Sequence, residues 1–239
     1  MTVSLRDKKL VIMGGSSGIG LRLAADAAAA GASVILAGRD RQALDAWVAG
    51  MPATVGTAHA DLGDEDSIAE LAERTGELDY LVSLASAPAS GPVTGLPREA
   101  IARAFDAKVI GPILLAKHFA PRFRPGGAIL LFSGIVAWRP EPGLAVMATT
   151  NGAVDFLARA LAVELAPVRV NALSPGIVDS GAWDGMGQGK DRFFADRAAR
   201  NPARRIGRPA DISSAALLAL TNPFLTGSTL HVDGGGRLA

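Results

Sequence analysis

The chain has 239 residues, 49% of them hydrophobic, and its 24 Lys plus Arg against 23 Asp plus Glu leave a net charge of +1. That size suits one compact domain with a sizeable core, and the near-neutral balance argues against a general nucleic-acid or membrane-surface role. No cysteine is present, which excludes disulfides, thiolate catalysis and Cys-ligated metal, and no metal is expected.

In chain order, residues 1–9 are polar and lack the apolar core of a signal peptide. No later run approaches the roughly 20 apolar residues of a membrane span. A cytoplasmic protein with no membrane partner is expected. The run 10–13 reads as a buried strand and meets a turn with glycines at 14, 18 and 20, before a helix over 19–30. A strand, a glycine turn and a helix N-terminus form an anion site, because exposed N–H groups point at a phosphate that missing side chains allow to approach. Gly14, Ser16, Ser17, Gly18, Ile19 and Gly20 are therefore expected to hold a dinucleotide. Further strands are predicted at 33–37, 54–59, 80–84, 128–132, 169–173 and 229–232. Helices are predicted at 41–48, 65–75, 98–123, 146–165 and 210–220. Strands spaced by helices imply an α/β, Rossmann-type domain over 1–239, with a doubly wound parallel seven-stranded sheet and helices on both faces. The long stretch 174–209 holds Gly181, Gly185, Gly187 and Gly189. It reads as a glycine-rich substrate loop over about 177–209, at the carboxyl end of a strand.

Gly14-x3-Gly18-x-Gly20 resembles the glycine turn of the short-chain dehydrogenase/reductase family, with Met13 where the family has Thr. Asn171 to Ile177, with its Pro175-Gly176, and Val232-Asp233-Gly234-Gly235 resemble two later family segments. The resemblance thus covers nearly the whole chain, and it implies a nicotinamide cofactor and a small-molecule substrate. Where NAD-preferring enzymes place an acidic residue after the second strand, this chain has Gly38-Arg39. The guanidinium of Arg39 matches a 2′-phosphate, so NADP(H) is expected over NAD(H). Asp40 is expected to cap the next helix. The resemblance further implies adenine contacts from Asp61-Leu62, a ribose-lining backbone at Ala85, and nicotinamide contacts from Pro175, Gly176, Ile177 and Ser180.

The family's catalytic Asn, Ser, Tyr and Lys do not carry over. In the same register Lys108 falls on the Asn, Gly134 on the Ser, Met147 on the Tyr and Asn151 on the Lys. The one tyrosine, Tyr80, begins the fourth strand and cannot be realigned. Lys108 and Asn151 thus look like an exchange across the site. Lys108 is the candidate for electrostatic stabilisation or proton donation, Asn151 for the ribose contact, and Ser133 for the carbonyl contact. His118 reads as structural or as part of an interface, and Trp138 and Trp183 as candidate apolar walls. The resemblance implies a divergent NADP(H)-dependent oxidoreductase acting on a small carbonyl, imine or activated alkene. The rival reading is a catalytically inactive NADP(H)-binding protein, a sensor or partner subunit. The family's packing of its two long helices implies a homodimer or homotetramer.

Overall fold

The computed structural model describes residues 4–15 and 18–239. Seven parallel strands form one sheet in the order β3-β2-β1-β4-β5-β6-β7. They are β1 (Lys9–Met13), β2 (Ser33–Gly38), β3 (Val55–His59), β4 (Leu78–Ser83), β5 (Phe123–Phe132), β6 (Arg169–Pro175) and β7 (Thr229–Val232). The helices are α1 (Gly18–Ala29), α2 (Arg41–Val48), α3 (Glu65–Thr75), α4 (Arg98–Phe105), α5 (Gly111–Phe119), α6 (Ala145–Glu164), α7 (Gly189–Arg200) and α8 (Pro209–Thr221).

Alternate side chains of β1 explain the layering. Leu10 and Ile12 join the core made by α1 and α8, with Leu23, Ala24, Ile212 and Ala216. Val11 and Met13 join the core made by α3, α5 and α6, with Ile68, Leu115, Phe119 and Val154. Period-two alternation on a sheet covered on both faces makes its strands read as continuous apolar runs. Asp40 caps α2, accepting a 2.9 Å bond from the Ala43 N–H, as expected.

Two expectations are corrected. The helix expected over 98–123 is four pieces. Between α4 and α5, Asp106–Ile110 winds as a π turn, and Ala120–Arg122 forms a 3-10 turn before β5 begins at Phe123. Pro112 is the cause we assign. It lacks the N–H that would bond Lys108 O in an α-helix, and its ring crowds that carbonyl, which a wider turn relieves. Second, the glycine-rich segment is not loop throughout. Asp184–Met186 forms a 3-10 turn and α7 follows. No residue of α7 is buried; its half-buried side includes Phe193, Phe194, Arg197 and Ala198, a short stripe set among charged residues.

The strand order reverses beside β1, whose neighbours are β2 and β4. Such a switch point leaves a crevice at the carboxyl ends of the strands. There the chain places Gly14 after β1, Ala85 after β4, Ser133 after β5 and Gly176 to Ser180 after β6.

Candidate functional site

The glycine turn is fixed by close approach. Gly14 has φ +87°, and a Cβ on it would lie 2.5 Å from the backbone N of Ala85. A Cβ on Gly18 would lie 2.5 Å from Ser180 O, which already accepts a 3.1 Å bond from the Gly18 N–H. Gly20 lies against Gly15 in the same way, at 2.6 Å from its Cα. Only glycines let α1, β4 and the start of the 177–209 segment meet here. Gly15, which the sequence reading did not single out, is part of this packing. Ser16 and Ser17 lie outside the described residues.

Arg39 is exposed at the end of β2 and pairs with no carboxylate among the described residues. Asp61 accepts a 2.9 Å bond from the Gly63 N–H and so shapes its own turn. Leu62 is turned into the core, where Gly111 makes room for it: a Cβ on Gly111 would come within 2.6 Å of the Leu62 Cβ. Asp61 and Leu62 therefore adjoin the open end unequally, the aspartate half-exposed and the leucine side chain buried.

A cavity of about 660 Å³ brings the remaining residues together. Ile19, Pro175, Gly176, Ile177 and Ser180 border it from the glycine-turn side. Lys108, Ser133, Gly134, Met147 and Asn151 border it from β5, α6 and the π turn. Lys108 is only 6% exposed, and its Nζ donates a 2.7 Å bond to Phe132 O. Burial pulls its pKa from 10.5 down to about 8, with no carboxylate pairing to oppose the shift. The ammonium keeps donors to spare beyond the one given to Phe132 O.

Ser133 Oγ donates a 2.8 Å bond to Asn151 O. Its single proton is thereby committed to the backbone of α6, and a substrate carbonyl would have to displace that bond. The Asn151 side chain fills the space beside Gly134, where a Cβ would lie 2.9 Å from its Nδ2. Asn151 Oδ1 is buried with no partner among the described residues, which leaves an acceptor facing the cavity wall. Met147 Sδ accepts from the Ala89 N–H at 3.5 Å. A thioether lines a pocket but donates no proton. Tyr80 is buried in the core on the α1 side and does not border the cavity.

The outer wall comes from the 177–209 segment. Trp183 borders the cavity, donates Nε1–H to Val178 O at 3.0 Å and packs on Phe193 at 4.9 Å. Trp138, expected beside it, lies outside the cavity and packs edge-on to His231 at 4.7 Å. His118 meets the Glu65 carboxylate at 3.0 Å between α5 and α3, which fits its structural reading. Four charged cavity residues were missed altogether. Arg139 and Glu141 are far in sequence from Arg197 and Arg200, and the hidden helix α7 brings the two pairs together.

The fit to a nicotinamide dinucleotide is good on these observations. The turn packs without side chains, Arg39 has no carboxylate partner at the end of β2, and Asn151 offers an orphaned acceptor. Among the described residues no helix is long and apolar enough to cross a membrane.

A family model described as enoyl-(acyl carrier protein) reductase matches residues 14–236. The short-chain dehydrogenase/reductase ATR9 of Stachybotrys chlorohalonatus is 33% identical, over 98% of this chain and 99% of its own. A short-chain dehydrogenase/reductase, glucose/ribitol dehydrogenase, from Brucella melitensis superposes with a TM-score of 0.93 at 28% identity, covering 100% of both chains. A small-chain dehydrogenase solved in complex with NADPH superposes with a TM-score of 0.81 at 32% identity, covering 97% of this chain and 99% of its own. The chain belongs to the short-chain dehydrogenase/reductase family of oxidoreductases, which bind nicotinamide cofactors.

Proposed function

We propose that the chain is an NADP(H)-dependent oxidoreductase with a non-standard active site, built as one domain over 1–239. Its substrate is a small carbonyl, imine or activated alkene, covered by the segment 177–209. A bound nicotinamide supplies or takes up the hydride. Gly14, Gly18, Ile19, Gly20 and Ala85 would cradle the dinucleotide, Asp61 its adenine end, and Pro175 to Ile177 with Ser180 its nicotinamide end. Arg39 would pair with the 2′-phosphate, which favours NADP(H) over NAD(H); the NADPH held by one structural neighbour agrees with this.

One observation carries the chemistry: the cavity places a buried lysine, Lys108, where Met147 offers no proton. Protonated Lys108 stabilises negative charge growing on a substrate oxygen or nitrogen and delivers the proton. A pKa of about 8 suits an acid working near neutral pH. Asn151 Oδ1 accepts from a ribose hydroxyl, and Ser133 holds the Asn151 carbonyl in place. Exposed Phe156 and Val163 on α6, with Ile113 on α5, support a homodimer or homotetramer built on these helices.

The test is fluorescence titration with NADPH and NADH, then turnover on a carbonyl and imine panel, with Lys108→Met alongside. The expected result is tighter NADPH binding and a drop in turnover of about 10²-fold or more in the variant. Unchanged turnover in Lys108→Met overturns the role given to it. The absence of a tyrosine from the cavity favours a second reading, an inactive NADP(H)-binding protein, and NADPH binding without turnover would establish that one.

A further inference from the structure

The cavity carries a second polar group besides Lys108, Ser133 and Asn151. Arg197 on α7 reaches Glu141 with two hydrogen bonds, Nη1 at 2.5 Å and Nη2 at 2.8 Å. Its guanidinium lies 5.2 Å from the centre of the Phe193 ring, so it is fixed from two sides. The Nε of Arg197 is nevertheless buried with no partner among the described residues. Arg139, just after the turn Ile135–Ala137, donates one Nη1 bond to Gly236 O at 3.1 Å. Arg200, one turn after Arg197, borders the same cavity and reaches Asp196 at 2.8 Å on its outer side.

The charges of Arg139 and Arg200 both act on Glu141. Together with the Arg197 bonds they hold its carboxyl below the usual carboxylate range. Three guanidiniums thus border the cavity near one carboxylate, and Arg197 alone is bonded to it. The walls around them are apolar, with Ile135, Leu144, Met147, Trp183 and Ile206. Arg197 is answered by Glu141 and Arg200 by Asp196, which leaves Arg139 beside the orphaned N–H as the guanidinium with no carboxylate pair among the described residues, and its planar fork matches a carboxylate. Glu141 accounts for Arg197 but not for its Nε, and not for Arg139.

We infer that this part of the cavity is a head-group subsite for an acidic substrate, a carboxylate carried on an apolar body. Arg139 and the Arg197 Nε–H donate to the carboxylate, Arg200 adds neutralising charge, and the apolar body lies against Trp183 and Met147. This rests on the reading of the cavity as a substrate site, and it names the substrate class.

Calorimetric titration tests it, using 4-phenylbutanoate against 4-phenylbutan-1-ol, with and without saturating NADP+. The acid is expected to bind at least tenfold tighter than the alcohol. That preference should fall about tenfold in Arg139→Gln and more modestly in Arg200→Gln, whose exposed position guards against a folding artefact. Arg74→Gln, on the exposed face of α3, should keep it. Equal binding of acid and alcohol overturns the inference, as does a preference that survives both variants. Failure of the cofactor reading is seen separately, as absent NADP+ binding, and the acid preference is then read without cofactor.

Discussion

Replacing Lys108 with methionine should change the pH dependence of stability more than stability itself. Lys108 is buried, and its pKa falls from 10.5 to about 8 because burial disfavours the charged form. Each pKa unit is worth about 1.4 kcal/mol, so below pH 8 the folded protein carries a penalty of about 3 kcal/mol from this ammonium. Between pH 8 and 10.5 the unfolded chain holds the proton more tightly than the folded one, so stability rises with pH and the penalty is gone above 10.5. Methionine is similar in length and has no charge, which removes this dependence. It also strips Phe132 O of the bond from Nζ, at a cost of about 1–3 kcal/mol. At pH 6 the two effects roughly offset. Above pH 10 the lost hydrogen bond stands alone and the variant is less stable than the native chain. The difference between the two proteins should therefore swing by about 3 kcal/mol across that range. Urea unfolding followed by circular dichroism at pH 6, 8, 9.5 and 10.5 measures it, and other groups cancel in the difference. A difference that stays flat from pH 6 to 10.5 would mean that Lys108 is not buried as a cation, and would refute the reasoning.

The same lysine sets an expectation for turnover: reduction should weaken as pH rises through about 8, where the proton is lost, and the residual rate of Lys108→Met should lack that limb. Arg39→Gln should weaken NADPH binding at least tenfold and leave NADH within twofold by fluorescence titration, since hydrogen bonds to a charged group contribute about 1.5–3 kcal/mol. Gly14→Ala combines a φ of +87° with a Cβ placed 2.5 Å from Ala85 N, so its melting temperature and nucleotide binding should both fall. A variant that melts like the native chain would show that β4 can give way.

The sheet was legible because strands buried on both faces are short apolar runs, and 169–173 and 229–232 appear where expected, with β6 extended to Pro175. β5 begins earlier than its apolar run because Phe123 pairs with Leu78 across a register shift, a tertiary effect with no local signal. Pro112 was the visible sign that 98–123 could not be one α-helix. The glycine positions were readable from spacing and Lys108 from the register of the family resemblance, since each is fixed by its own strand or helix. Arg139, Glu141 and Arg197 were not readable. Their meeting depends on α7, a helix with no buried residue and only a short apolar face set among charged residues.

The bond from Gly18 N–H to Ser180 O joins the first turn of α1 to the root of the segment that carries Trp183, α7 and Arg197. Ile177 and Ser180 lie at that root and border the cavity as well. Anything seated at the glycine turn therefore rests against the root of the segment 177–209, which we propose covers the substrate. The expected outcome is an ordered sequence of events: nucleotide enters first, substrate second, and the nucleotide leaves last. In initial-rate kinetics, product inhibition by the oxidised nucleotide should then be competitive with the reduced one and mixed with substrate.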